Sequence, residues 1–360
     1  MTRGHNQARG FSLVELMIAL VIGLVLLGAA SSIYIAQSRM SKSAVSQASI
    51  QNVENAIAAL ITPAIRATGF NGCSTFSRSL SNLVAGGPPP VGTVGTTAAF
   101  MAGYDAIGTG GASTSYTISQ NNAANGVSAS GWSPALDSTL LGSVSNGSDV
   151  LVLLGAAVRS SPIGVTVIPT GGNSLTVQDA TGLRVGQLAM VSDCLKSSIF
   201  KITAISANTI THAAGSGAME NGTDALGVNY PPASQFIPLE QTAFFVGQGQ
   251  GDQSTLMKAT YGSGAWTTVP LVPGVESMQV LYGIGNAGIV TRYVAASAVA
   301  DWTLVYTVRL GFLIQGQIGS GATTTTASRQ FVVLGTTVTV PADGRLRHLY
   351  EINVNLRNAS

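Results

Sequence analysis

The 360-residue chain is long enough for one large or two modest domains beside a membrane anchor. Only 9% of its residues are charged and 43 are glycine, so solubility rests on Ser, Thr, Asn and Gln, as in exported, surface-displayed β proteins. A formal net charge of +2 lacks the overall basic character that non-specific nucleic-acid binding requires, and two cysteines without neighbouring histidines make a poor metal site.

Residues 1–10 form a leader that carries Arg3 and Arg9. Gly10-Phe11-Ser12-Leu13-Val14-Glu15 follows, then the apolar run Leu16–Ala30, continued by Ser31-Ser32-Ile33-Tyr34-Ile35-Ala36. About 20 mostly apolar residues cross a bilayer core as a helix. Ser31 and Ser32 are tolerable there, because a helical serine bonds back to its own backbone. No Lys or Arg follows Arg9 until Arg39, so the positive-inside rule leaves the leader in the cytoplasm and sends the rest across. Glu15 is the anomaly. A carboxylate at the mouth of a membrane span is expensive and reads as functional.

Gly10-Phe11-Ser12-Leu13-Val14-Glu15-Leu16-Met17 resembles the class III signal of type IV prepilins and pseudopilins. The resemblance implies cleavage after Gly10 by a prepilin peptidase, methylation of Phe11 as the new first residue, and a role for Glu15 in assembly. That carboxylate would face the N-terminal ammonium of a neighbouring subunit, and physically a lone acid in lipid gains most from a cation supplied by another copy. Without Arg3 and Arg9 the chain has 15 basic and 15 acidic residues and is near neutral. A Sec signal peptide is the plainer alternative, with Gly28-Ala29-Ala30-Ser31-Ser32 as a mimic of its cleavage site. Glu15 and the length of the apolar run argue against it.

Val45, Ala48, Val53, Ala56, Ile57, Leu60, Ile61, Ala64 and Ile65 recur at three- and four-residue steps, predicting an amphipathic continuation of the helix over 37–69. Pro63 predicts a kink or end near Thr62, and Gly69 a stop if the helix survives it. Residues 70–148 read as a loop-rich insertion with one or two short strands, including the turn and polyproline stretch Gly86-Gly87-Pro88-Pro89-Pro90. From residue 149 strand signals dominate. Asp149–Leu154 is a continuous apolar run, and Leu304, Tyr306, Val308, Leu310 and Phe312 alternate with small or polar residues. No fixed repeat is present. The fold class is therefore α+β: a long transmembrane and amphipathic helix packed on a mainly antiparallel sheet domain spanning 149–360.

Several C-terminal pieces resemble one branch of the family, the PilW-like minor pilins. They are Ser148-Asp149-Val150-Leu151, the Asp193-Cys194 step, Val275-Glu276-Ser277-Met278-Gln279-Val280-Leu281-Tyr282-Gly283, and Asp343-Gly344-Arg345-Leu346-Arg347 through Asn358. Cys73 and Cys194 either pair in an oxidising periplasm or remain two buried thiols. A bridge would close a loop of over a hundred residues, worth roughly 4–5 kcal/mol in the loop-entropy description.

Enzyme signatures are missing. Gly283-Ile284-Gly285-Asn286-Ala287-Gly288 fits a dinucleotide pattern, but strand-like residues follow where a phosphate-binding helix is needed. His212 and His348 are isolated, and Asp137, Asp149, Asp193, Asp252 and Asp343 fit turn chemistry. The resemblance thus implies a non-enzymatic subunit without cofactors, held in the inner membrane with its C-terminal domain in the periplasm and later displayed on a pilus. Its implied partners are the prepilin peptidase, other minor pilins, the major pilin and the inner-membrane assembly platform. The implied task is priming or capping a type IV pilus used in adhesion, twitching motility or DNA uptake. A type II secretion pseudopilin, and a tip adhesin or DNA-capture module built on the 77–149 region, are the alternatives. That region holds Arg78 alone among Lys and Arg, which argues against nucleic acid.

Overall fold

The computed structural model describes residues 12–70, 72, 79–86, 100–110, 114–118, 129–157, 161–168, 171–262, 264–286, 288–316, 320 and 328–356. Gly10, Phe11, Cys73 and most of the polyproline stretch lie outside them. One helix, α1, runs from Leu13 to Ala67. Its 55 residues extend about 80 Å at 1.5 Å per residue. Ser32 bonds back to its own helix, its Oγ donating to the Ala29 carbonyl at 2.7 Å. Up to Val45 the helix touches almost nothing: Leu13 is 74% exposed, Leu27 66% and Tyr34 73%. From Ser46 onward one face is buried, at Ser46, Ile50, Ile57, Ile61 and Ile65.

The helix passes through Pro63 without ending near Thr62, and of the two stops expected it takes the later one, at Gly69. Pro63 and Ala59, whose carbonyl loses its usual donor, both lie on the exposed side, where water can take over that bond. The stop comes a turn later. Thr68 Oγ1 donates to the Ala64 carbonyl at 3.0 Å, and Gly69 adopts φ +70°. The Gly69 N–H then donates to the Leu154 carbonyl, tying the end of α1 to the sheet.

The strand Gln235–Gln248 is the spine of the largest sheet. Its first residues pair with Leu188–Ser192 and Ile163–Val167, and its remainder lies between Val150–Ala156 and Ser254–Gly262. Pro238 sits where one partner gives way to the next, a position that spares it a ladder donor. Met101–Ala106 and Ala265–Pro273 extend the sheet on either side. Both faces of this sheet are covered, which accounts for the unbroken apolar run at 149–154. Leu151 and Leu153 join the core under α1, whereas Val150 and Val152 face Trp132, Leu136, Leu140 and Phe245.

A second, antiparallel sheet has the order Ile289–Val294, Val275–Asn286, Val305–Gln315, Arg347–Asn355. Its inner side chains Val280, Tyr282, Val308, Leu310, Phe312 and Val354 share one core with Ile50, Ile57, Ile61 and Ile65 of α1. The predicted alternation holds for Val308, Leu310 and Phe312, whereas Leu304 is exposed in a short 3-10 turn before the strand and Val305 is buried in its stead. The opposite face of the sheet is also covered, since Leu313 packs under the hairpin Arg329–Val333 and Thr336–Val340.

The described residues of the stretch 70–148 include strands built into the sheets. Met101–Ala106 is wholly buried, Ser79–Asn82 runs parallel to 196–199, and Thr114–Thr117 runs parallel to 336–339. Small residues hid this. Gly103 leaves the space filled by the Tyr282 ring, and a Cβ there would overlap the phenol. Gly103→Ala should therefore cost roughly 1–3 kcal/mol in denaturant unfolding, and Tyr282→Phe in the same chain should return part of it.

Candidate functional site

At the start of α1, Ser12 is the N-cap and Glu15 the third helical residue. The Ser12 N–H donates to Glu15 Oε2 at 3.2 Å. The carboxylate thus satisfies one of the unpaired donors that every helix start exposes, close to the positive end of the helix dipole. Within the single chain, that N–H is the hydrogen-bond partner recorded for Glu15 among the described residues. The following turns expose Leu16, Met17, Leu20, Val21 and Leu24, and the helix is long and apolar enough to cross a membrane.

What fixes this rod to the domain is a glycine seat and a clasp. Gly316 lies against Ser46, close enough that a Cβ would overlap the Ser46 hydroxyl. Higher up, His348 Nδ1 stands 2.6 Å from Glu54 Oε1, an ion pair whenever the imidazole is protonated. Ile50 between them, and Ile57, Ile61 and Ile65 beyond Glu54, supply the apolar contact.

Beneath the clasp lies a buried ion network. Arg347 donates from Nε and Nη2 to Glu276 at 2.6 and 2.9 Å, and from Nη1 and Nη2 to Asp343 at 2.7 Å each. The Arg347 and Glu276 side chains are 3% and 6% exposed. Burial opposes the charge on Arg347, but the two carboxylates outweigh it and hold the guanidinium protonated. Burial likewise pushes Asp343 up, and the bonds from Arg347 and Arg345 bring it below the usual carboxylate range. The fork to Glu276 ties the second strand of this sheet to the fourth, and the fork to Asp343 fixes the bend just before the fourth strand.

Asp149 performs a related task without a cation. Its Oδ1 accepts from the Ala106 N–H and the Thr109 hydroxyl, and its Oδ2 from the Val280 N–H. Asp105, also buried, accepts the N–H groups of Ala296 and Ser297. Burial, with help from Asp105, pushes Asp149 up to about 8 against those three bonds.

The turn assignment for the aspartates holds for Asp137, which caps a short helix, and for Asp193, which takes the N–H groups of Leu195 and Lys196. It fails for Asp149, a buried staple, and covers only part of what Asp343 does. His212 is fully buried, 4.9 Å from the Phe200 ring, and burial lowers its pKa. Gly283–Gly288 lies at the turn between two antiparallel strands, with no helix after it. Cys194 has no free thiol and sits at φ +72° in the turn between Leu188–Ser192 and Lys196–Lys201. Glu276, Arg347 and Asp105 were not identified as a site from sequence. The fragments Val275–Gly283 and Asp343–Arg347 were singled out, but nothing in their spacing joined them. The described residues contain no group of three or more metal-ligating side chains.

Residues 5–31 match the family model for the prokaryotic N-terminal methylation motif, and residues 243–358 match that for the type IV pilus-assembly protein W. No curated protein and no solved structure matches the chain. The second match contains the whole four-stranded sheet, both ends of the ion network and the Val280 N–H that Asp149 grips.

Removing one partner of the buried network should be costly. Arg347→Met is expected to lose about 3–5 kcal/mol in urea unfolding, and adding Glu276→Leu should restore much of it. Asp149 gives a pH dependence of opposite sense to ordinary acid unfolding. Its folded value of about 8 exceeds its free value of 3.8, so its contribution is complete below about pH 4 and is lost as pH rises through 8. The stability difference between wild type and Asp149→Asn should therefore shrink from pH 5 to pH 8. A difference that grows over that range would contradict this protonation.

Proposed function

We propose, for a chain that is a PilW-like minor pilin of the type IV pilus, that it is a structural subunit priming or capping the filament. The prepilin peptidase cleaves after Gly10 and methylates Phe11. The protein then waits in the inner membrane on its N-terminal span, with the β domain in the periplasm. There it joins other minor pilins at the assembly platform before the major pilin is added.

The observation that carries this reading is the division of α1. Its continuation is gripped by the domain from Ser46 to Ile65, whereas Leu13–Val45 stands free with one carboxylate at its tip. An apolar rod of this kind is stable in lipid or against other rods, and in water it is a liability. When a second chain presents its terminal ammonium, Glu15 exchanges its bond from Ser12 for a charge-assisted one, in a medium where that exchange is strongly favourable.

Pilin families are structural, and the buried carboxylates of Asp105, Asp149 and Glu276 are engaged by backbone N–H groups or by Arg347. The match over 243–358 favours a pilus over a secretion apparatus. We assign a Cys73–Cys194 bridge as part of the same scheme, supported by the absence of a free thiol at Cys194 and by the presence of two cysteines in the chain. It would tether the segment after α1 to the hairpin at 188–201.

Gly10→Val should yield a protein that retains its leader by mass spectrometry. Glu15→Ala should be cleaved normally yet enter filaments at least roughly tenfold less. Normal piliation and normal subunit mass in both variants would refute the scheme. Cys194→Ser should abolish the mobility difference between reduced and oxidised protein on gels.

A further inference from the structure

The stripe by which α1 grips its domain does not end where the domain ends. Ser46, Ile50 and Ile57 are buried and Val53 half-buried, at steps of four, three and four residues. Continued downward by four and three, the same stripe reaches Lys42 and Arg39. Both are exposed, and neither has an ion-pair partner among the described residues. The face is apolar where the domain covers it and cationic one turn below the lowest contact, that of Ser46 with Gly316.

The height of this pair decides its partner. Leu13 to Ala36 covers about 35 Å of helix, enough for a hydrocarbon core of about 30 Å. Arg39 and Lys42 then lie one to two turns beyond the apolar stretch, about 40 Å from Leu13 along the axis. Helical side chains lean toward the N-terminus, so both cations reach back toward the membrane. Tyr34, 73% exposed, is placed where aromatic residues sit at a membrane–water boundary.

We propose that Arg39 and Lys42 bind the phosphate groups of anionic lipids in the outer leaflet, beneath the overhang of the β domain. This contact sets the depth and rotation of the waiting subunit, because the cations share a face with the domain. It rests on the reading of Leu13–Ala36 as a membrane span. Leaving the membrane for a filament breaks the contact, so the same pair opposes premature extraction.

The test places the full chain in nanodiscs of equal phosphatidylglycerol and phosphatidylcholine and counts retained lipids by native mass spectrometry. The wild type should retain the anionic lipid about tenfold in preference, and Arg39→Gln with Lys42→Gln should bring the ratio near one. Arg66→Gln, a control at the far end of α1, should leave the preference intact. A wild type without preference, or a double variant that keeps it, overturns the proposal and leaves the pair to an acidic protein partner. Carbonate extraction of the wild type from vesicles reads separately: a chain released by carbonate would sink the membrane span itself, and the lipid contact with it.

Discussion

The structure depends on one constraint: a single helix must be insoluble along one half and firmly held along the other. An isolated apolar helix of this length would aggregate or sink into lipid, and a helix buried throughout would have nothing to offer a partner. The solution is spatial. Ile50, Ile57, Ile61 and Ile65 join the sheet core at essentially zero exposure, while every large apolar residue from Leu13 to Ile35 remains about half exposed or more. The domain is consequently a handle on a rod, and it must not slip along it. Ser46 in the seat left by Gly316, and Glu54 beside His348, fix the rod at two heights.

Holding the rod places demands on the sheets. The inner face of the four-stranded sheet can meet α1 only if its strands keep register, and here the buried polar groups become intelligible. Arg347 joins Glu276 across strands that are not neighbours and holds Asp343 in the bend before its own strand, and Asp149 joins the two sheets through the Ala106 and Val280 N–H groups. Such networks add little net stability compared with apolar packing, yet they penalise any other pairing heavily, since a slipped strand leaves a buried charge alone. Specific alignment of this kind suits the assembly proposed above, in which one rod packs beside another.

Much of this was legible in the sequence. The apolar helix long enough to cross a membrane occupies one contiguous stretch, so recognising it needs no folding. Most strands from 149 onward showed their periods plainly, and the amphipathic stripe did so in part: Ile57, Ile61 and Ile65 face the domain, but Val45, Ala48 and Leu60 are exposed and Ser46 and Ile50 are buried. Illegible were features that depend on distant residues meeting: Glu276 with Arg347, Asp105 with the Ala296 N–H, and Gly103 with Tyr282. The 70–148 stretch was misread because glycine and alanine at 101–106 look like loop composition, although close approach by Tyr282 is what requires them. Pro63 left two outcomes open, an end near Thr62 or a stop at Gly69, and the second holds because an exposed orphan carbonyl costs little.

The central claim is that Glu15 is reserved for the amine of another copy. Mixed filaments or membranes carrying isotopically heavy and light subunits, treated with a lipid-soluble carbodiimide, examine that contact directly. The account predicts an amide between Glu15 of one mass label and the first residue of the other. Linkage confined to a single label, or a Glu15 that never couples to an amine, would contradict it.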